Sequence, residues 1–245
     1  MTEILNINVV AGRVLKLTEF VFQKRKSLLE KYDETDLQIG TFAKFYKRLC
    51  TFYFELKSDI KTLKELDANL SDHFVRHNRF DLFVGIFSLF EDAITLILKS
   101  LLHDEYALLK KFDIRRILED EEISELIKKH FPNDYKQLPD EDSFVTFSKK
   151  IKTLRDQTII TKKEKEFLEF TACIRNTMHS NGVYHGRKRM FKNVLKEGDK
   201  YSFVDGEDCL FMTTNFTIDC IEKIINLFIS ILDQEELSKG IQDNS

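Results

Sequence analysis

A chain of 245 residues is long enough to bury a substantial core, as one large domain or two small ones. Its 8 glycines and 2 prolines are too few for the many turns of an all-β protein, whereas Leu, Ile, Lys, Glu and 22 phenylalanines dominate, so we predict an all-α fold. The formal net charge of −3, from 38 basic and 41 acidic residues, excludes a global field that would attract nucleic acid or a membrane, so any such binding has to be local.

The cysteines show no spacing typical of a metal or redox site. Cys50, Cys173, Cys209 and Cys220 form no CxxC pair and no Cys/His ligand pattern. Such cysteines are typical of free thiols in a reducing compartment. The first residues also lack the basic region, apolar core and cleavage site of a signal peptide, so we expect a cytoplasmic protein.

The first 75 residues are predicted to be helical. Apolar residues recur at helical spacing over about residues 13–32 and again over about residues 37–70. The densely charged outer face of the second region is typical of a long helical hairpin or coiled-coil-like arm, which we expect to pack on, or extend from, a helical bundle formed by residues 76–245. The apolar side of the first helix is predicted to contain Val14, Leu15, Leu17, Phe20, Val21, Leu28 and Leu29.

The segment from Phe80 to Leu102 is the most apolar part of the chain. Its 23 residues are enough for a membrane-spanning helix. Glu91 and Asp92 stand at its centre, however, and an ionised carboxylate at bilayer depth costs about 3 kcal/mol. We therefore predict the central helix of a bundle and no membrane contact.

Further helices are expected along the chain. One or two short helices are predicted within residues 104–131, followed by a loop around Pro132 and Pro139. Another helix is predicted over about residues 142–154.

The composition changes after residue 182. Alternating apolar and polar residues, together with the turn dipeptide Asp205-Gly206, predict a small β-hairpin insertion at about residues 183–212. A last core helix is expected to begin at Thr213 or Thr214.

One helix carries polar groups that suggest chemistry. It is predicted to begin at Thr161, which forms a capping box with Glu164, and to close at Gly182, which suits the left-handed conformation at a helix end. Arg175 and His179 lie four residues apart, so they share one edge of this helix, about 100° from its apolar stripe. The predicted buried stripe consists of Phe167, Phe170, Ile174 and Met178.

Arg175 and His179 allow two interpretations. A histidine that transfers protons beside an arginine that stabilises developing phosphate charge is suited to metal-independent cleavage of RNA through attack of the 2′-hydroxyl. Alternatively, the two cations bind the free carbonyl groups at the C-terminal end of the helix and have only a structural role.

Asn176 and Asn181 complete the string Arg-Asn-x-x-His-x-Asn-Gly over residues 175–182, which resembles the signature of HEPN domains. In that family an arginine, commonly followed by asparagine, precedes a histidine on a late core helix, with four to six intervening residues. Here three residues separate Arg175 from His179, so the motif has a compact form. The resemblance covers about residues 76–235.

The resemblance implies a bundle of four or five core helices, commonly dimerised so that two motifs face each other. Active members are metal-independent endoribonucleases of toxin and defence systems, and others are non-catalytic binding or scaffolding modules. It implies that Arg175 and His179 are catalytic and that Asn176 positions the substrate. It also implies a homodimer, RNA as substrate and a possible protein partner such as an antitoxin.

Supporting residues are expected around the motif. HEPN domains carry a polar residue on an earlier core helix that approaches the motif, and Glu91 or Asp92 would match it; the alternative is a buried ion pair with no part in catalysis. Tyr184 stands behind the motif, where some HEPN toxins carry a tyrosine that a partner nucleotidyltransferase modifies.

A basic segment follows the motif directly. Arg187, Lys188, Arg189 and Lys192 are predicted to hold RNA, since such a patch can follow a phosphate backbone even on an acidic protein. The alternative is a solvated hairpin whose cations protect an edge strand.

Metal and cofactor sites are not predicted. His73 and His77 have the spacing of two ligands on one helix face, but a third ligand is missing and Phe74 stands where a HExxH motif needs Glu. The sequence contains no Walker A loop, no GxGxxG and no GxSxG, so we expect no cofactor.

Overall fold

A computed structural model describes residues 7–34, 36–65, 68–102, 145–180 and 182–234 of the protein. It confirms a helical bundle with a small two-stranded antiparallel sheet. The helices expected within residues 104–131 and the loop at Pro132 and Pro139 lie outside the described residues. Within these ranges the helices are α1 (Ile7–Leu28), α2 (Leu37–Glu65), α3 (Ala68–Leu102), α4 (Phe147–Asp156), α5 (Lys162–His179) and α6 (Thr214–Leu232), and the strands are β1 (Arg189–Lys192) and β2 (Lys200–Phe203).

Helix α1 begins earlier than its sequence pattern predicts. Its buried side consists mainly of Val10, Val14, Leu17 and Val21, whose spacing of three and four residues extends the apolar stripe toward the N-terminus. Leu15 and Phe20 were predicted on the buried side but are 37% and 44% exposed, so for these two residues the prediction is wrong. Each is one residue from a stripe position and is therefore turned about 100° from it.

Helix α3 is the central helix of the bundle, as predicted. It packs against α2, α4, α5 and α6, and Phe83, Phe87 and Phe90 are fully buried along it. It begins about 12 residues before the predicted start at Phe80, so the predicted boundary between residues 75 and 76 falls inside it. The division into an N-terminal helical region of residues 1–75 and a bundle of residues 76–245 stays a prediction. Within the described ranges, no helix has both the length and the apolar character needed to cross a membrane.

Phenylalanine rings join the N-terminal helices to the last helix. The ring of Phe228 on α6 lies 5.5 Å from that of Phe42, 5.8 Å from that of Phe45 and 6.3 Å from that of Phe90, measured between centroids. Large rings in edge-on or tilted contact bury much apolar area, so this cluster contributes strongly to stability.

The predicted hairpin insertion is present, with its strands at residues 189–192 and 200–203. Arg189 lies opposite Phe203, and Lys192 lies opposite Lys200. The expected turn at Asp205-Gly206 is present as well: Gly206 has φ +75° and donates its N–H to the carbonyl of Tyr184 at 2.8 Å. This turn does not join the two strands, because it follows β2 and returns the chain toward residue 184.

A cluster of aromatic rings fixes the hairpin to the bundle. The ring of Phe170 on α5 lies 4.9 to 5.9 Å from four other rings. Those rings belong to Phe191, Tyr201, Phe203 and Phe216. Since they come from β1, β2 and α6, the hairpin is held in place by the middle of α5, just before the motif.

Candidate nucleic-acid groove

Helix α5 begins and ends as the sequence predicts. The Thr161 hydroxyl accepts the N–H of Glu164 at 3.2 Å, and the Glu164 carboxylate accepts the N–H of Thr161 at 2.6 Å, which is a complete capping box. At the other end, Gly182 has φ +94° and donates its N–H to the carbonyl of Thr177 at 2.9 Å. This left-handed residue turns the chain out of the helix and toward the basic segment.

Burial of the predicted stripe places Arg175 at the rim of the core. Phe167, Phe170 and Ile174 are fully buried, and Met178 is 4% exposed. Arg175 is half-buried, its guanidinium carbon lying 5.1 Å from the centroid of the Phe87 ring on α3. The side chain is therefore held against an aromatic face, and its buried Nε atom makes no hydrogen bond to the described residues.

Arg175 lines a groove of about 340 Å³ between α4, α5 and the loop that follows α5. This volume is in the range of small-ligand sites. Its walls are formed by Phe147, Ser148, Ile151, Glu169, Ala172, Cys173, Arg175, Asn176, Tyr184, His185, Arg187 and Arg189.

The groove unites five of the predicted site residues and omits others. Arg175, Asn176, Tyr184, Arg187 and Arg189 all line it. The lining does not include His179, which is exposed one turn beyond Arg175, nor the exposed side chains of Lys188 and Lys192. Asn181 lies outside the described residues, as do the side chains of His73 and His77.

Three guanidinium groups make the groove electropositive. Arg175, Arg187 and Arg189 have no carboxylate partner within the described ranges, and the one carboxylate in the lining, Glu169, lies 3.6 Å from the ammonium of Lys165. Guanidinium groups bind phosphate through paired, charge-assisted hydrogen bonds. The arrangement therefore suits a phosphate-bearing ligand.

Tyr184 shapes the loop that carries two of these groups. It is 5% exposed, its ring lies 5.1 Å from that of Phe203, and its hydroxyl donates to the carbonyl of Arg187 at 2.9 Å. A Cβ atom at Gly186 would lie 2.9 Å from this hydroxyl, so only glycine fits the turn. Burial raises the pKa of Tyr184, which keeps the hydroxyl protonated as a donor.

Cys173 lies in the groove below Arg189. A guanidinium nitrogen of Arg189 donates to its sulfur at 3.8 Å. Burial raises the pKa of the thiol, and the nearby charge of Arg189 opposes this shift without reversing it. Cys173 is therefore a neutral thiol near pH 7, and the contact helps to position Arg189 along the groove.

Glu91, one of the two acidic residues predicted to support the motif, pairs with a lysine of α4. The carboxylate of Glu91 receives a hydrogen bond from the ammonium of Lys150 on α4 at 2.9 Å, with side-chain exposures of 18% and 9%. Asp92 is exposed. This ion pair ties α4 to the central helix, and a part of Glu91 in catalysis stays a prediction.

His185, which is not among the site residues predicted from the sequence, also lines the groove, although it lies ten residues beyond Arg175 in the chain. The turn after Gly182 brings the two side chains to one groove. The two nearby glycines, Gly182 and Gly186, are the sequence signal that could have indicated this reversal of the chain.

The described residues contain no group of three or more His, Cys, Asp or Glu side chains that could hold a metal ion. No protein-family model matches the chain, and no curated protein and no solved structure matches it significantly.

Proposed function

We propose that the protein is a HEPN-like, metal-independent endoribonuclease of toxin or defence type that holds RNA in the groove beside Arg175. The observation that supports this most is the group of three guanidinium groups without carboxylate partners in the described part of the chain, gathered around one edge of the motif helix. A protein of net charge −3 has no general attraction for nucleic acid, so such a concentration of cations indicates a local anion site.

The chemistry requires few groups. The 2′-hydroxyl of one nucleotide loses its proton to a base, and its oxygen forms a bond to the adjacent phosphorus while the bond from phosphorus to the 5′-oxygen breaks. The leaving 5′-oxygen takes a proton from an acid, giving a 2′,3′-cyclic phosphate and a 5′-hydroxyl. In this proposal His179 transfers a proton, Arg175 stabilises the charge that develops on the phosphate, and Asn176 positions it.

The proposal includes a homodimer and a partner protein such as an antitoxin, both of which follow from the HEPN resemblance. Two copies of the motif would then share one cleft and extend the cationic surface for an RNA strand. Sedimentation of the purified chain checks this part, since a monomer at micromolar concentration contradicts the dimer.

RNA cleavage by the purified full chain tests the activity. We expect cleavage that persists in EDTA, leaves 2′,3′-cyclic phosphate ends, and falls at least 100-fold in Arg175→Ala and in His179→Ala. The matched control is Lys163→Ala, which removes an exposed cation from the same helix about 18 Å along its axis. Absence of cleavage by the wild type, or unchanged cleavage in both motif variants, contradicts the proposal.

A second candidate is a non-catalytic module that binds RNA, a nucleotide or a protein in the same groove. It is favoured by one observation: His179 does not line the groove, whereas Arg175 packs on Phe87 as a structural residue would. This candidate predicts binding without cleavage. Fluorescence anisotropy with labelled RNA, followed by gel analysis of the same samples, distinguishes the two functions.

A further inference from the structure

His185, which lines the groove, forms an exposed pair with Asp205, which lies beside it. The Nδ1 atom of His185 lies 3.7 Å from Oδ1 of Asp205, and the two side chains are 65% and 72% exposed. His185 lines the same groove as Arg175. A histidine paired with a carboxylate, in a groove that also contains guanidinium groups, is an arrangement suited to proton transfer at a phosphate.

Backbone contacts hold Asp205 opposite His185. The N–H of Gly186 donates to the same Oδ1 atom of Asp205 at 3.1 Å. The N–H of Gly206 donates to the carbonyl of Tyr184 at 2.8 Å, and the N–H of Tyr184 donates to the carbonyl of Glu207 at 3.1 Å. The segment that carries His185 and the turn that carries Asp205 are thus joined at three points. The carboxylate is placed by the fold, although both side chains reach solvent.

The separation of 3.7 Å is longer than a hydrogen bond. Catalytic hydrogen bonds are often long before the substrate binds and shorten in the complex. A short rotation of the exposed imidazole would let Nδ1–H donate to Asp205 and leave Nε2 directed to the groove. Asp205 would then act as a positioning residue that fixes the tautomer and orientation of the ring.

We propose that His185, positioned by Asp205, is a catalytic residue that carries one of the two proton transfers of RNA cleavage. This inference rests on the proposed function and deepens it. Cleavage needs one group that takes the 2′-hydroxyl proton and one that protonates the 5′-oxygen. Each chain's motif provides one histidine, His179, which does not line the groove, whereas His185 lines it together with Arg175. His185 carries one transfer, and His179, from the same chain or from the second copy of the proposed dimer, carries the other. One histidine gains a proton as the other loses one, and exchange with water restores both.

Single-turnover cleavage under saturating RNA tests this assignment. In His185→Ala we expect the rate to fall at least 100-fold with an unchanged melting temperature, since the side chain is mostly exposed. Added imidazole, which replaces the missing side chain, is expected to raise the cleavage rate of His185→Ala at least tenfold. We expect no such increase for Arg175→Ala, because that variant lacks a guanidinium group and not an imidazole.

Asp205→Asn separates positioning from a structural role. We expect a loss of about tenfold in the rate at saturating RNA, and no additional loss when this change is combined with His185→Ala, because residues that act as a unit are not additive. A double variant whose losses multiply overturns the role of Asp205.

The outcomes distinguish this inference from the function on which it rests. If the wild type cleaves RNA and His185→Ala cleaves within twofold of it, the assignment of His185 is overturned while the nuclease stands. A large loss in His185→Ala that imidazole does not restore also overturns it. If the wild type does not cleave RNA at all, the nuclease proposal and this assignment both fall.

Discussion

Arg175 is held by an aromatic ring, and this determines how it can meet a phosphate. Its guanidinium lies over Phe87 and has no carboxylate partner among the described residues, so no ion pair has to break when an anion arrives. Arg187 and Arg189 also line the groove without such a partner in the described ranges. The proposed binding of RNA at these three groups would release counterions from the RNA, so we expect the affinity to depend on salt.

The salt dependence of RNA binding provides a residue-level prediction. Three phosphate contacts to single-stranded RNA give a slope of log K against log salt concentration of about −2, and each of Arg175→Ala, Arg187→Ala and Arg189→Ala is expected to reduce it by about 0.7. Fluorescence anisotropy between about 50 and 200 mM salt, over which the Debye length falls by about half, measures the slope. Lys163→Ala is the control and should keep the wild-type slope; a common slope for all variants contradicts the groove.

The ion pair between Glu91 and Lys150 gives a second prediction. Glu91→Ala leaves a buried ammonium without its partner, and we expect the free energy of unfolding to fall by about 3 kcal/mol. Replacing both residues, in Glu91→Leu with Lys150→Met, removes the unpaired charge and is expected to recover most of this loss. Urea unfolding of the three proteins measures the effect, and a double variant less stable than Glu91→Ala contradicts it.

At the scale of the element, helix α5 depends on its capping box. Thr161→Ala removes the acceptor for the N–H of Glu164, and we expect a loss of about 1 kcal/mol in the free energy of unfolding. Thr146→Ala is a matched control, because Thr146 occupies the N-cap of α4 but makes no side-chain capping bond. Thermal unfolding should show a lower melting temperature for Thr161→Ala and an almost unchanged melting temperature for Thr146→Ala. Equal shifts would contradict the assignment.

Features that depend on contacts between residues close in sequence could be predicted, and features that depend on residues far apart in sequence could not. Thr161 and Gly182 bound α5 through contacts within a few residues, so local sequence identifies both ends. The partner of Glu91 is 59 residues away, and no pattern in the chain selects Lys150 over other lysines. His185 reaches the groove only because the chain reverses after Gly182, and spacing counted along a helix does not describe a turn.

At the scale of the whole molecule, the groove and the core are one unit. Phe170 is fully buried and its ring meets rings from both strands and from α6, while the same helix carries Arg175 at its rim. Loss of packing in the core would therefore displace the groove, so stability and RNA binding are expected to decline together.

The buried thiols make this shared stability depend on pH. Burial raises the pKa of Cys173, Cys209 and Cys220, the last most strongly. A thiol whose pKa is raised in the folded state contributes stability that is complete below the pKa of the unfolded thiol, about 8.5, and that is lost as pH rises above this pKa. Lys223 has the opposite effect. Burial lowers its pKa in the folded state, so its contribution to stability increases as pH rises toward the pKa of lysine in the unfolded chain.

Since three thiols outnumber one lysine, we expect the free energy of unfolding under reducing conditions to fall by about 1 kcal/mol or more between pH 7.5 and 9.5. Cys220→Ala removes the most buried thiol and should show a smaller fall over the same interval, whatever its stability at pH 7.5. Cys50→Ala is the control, because Cys50 is only half-buried and the variant should keep the wild-type dependence. An identical fall in the wild type and Cys220→Ala would mean that the thiol is not the source, and that ionisation elsewhere in the core governs the alkaline limit of the fold.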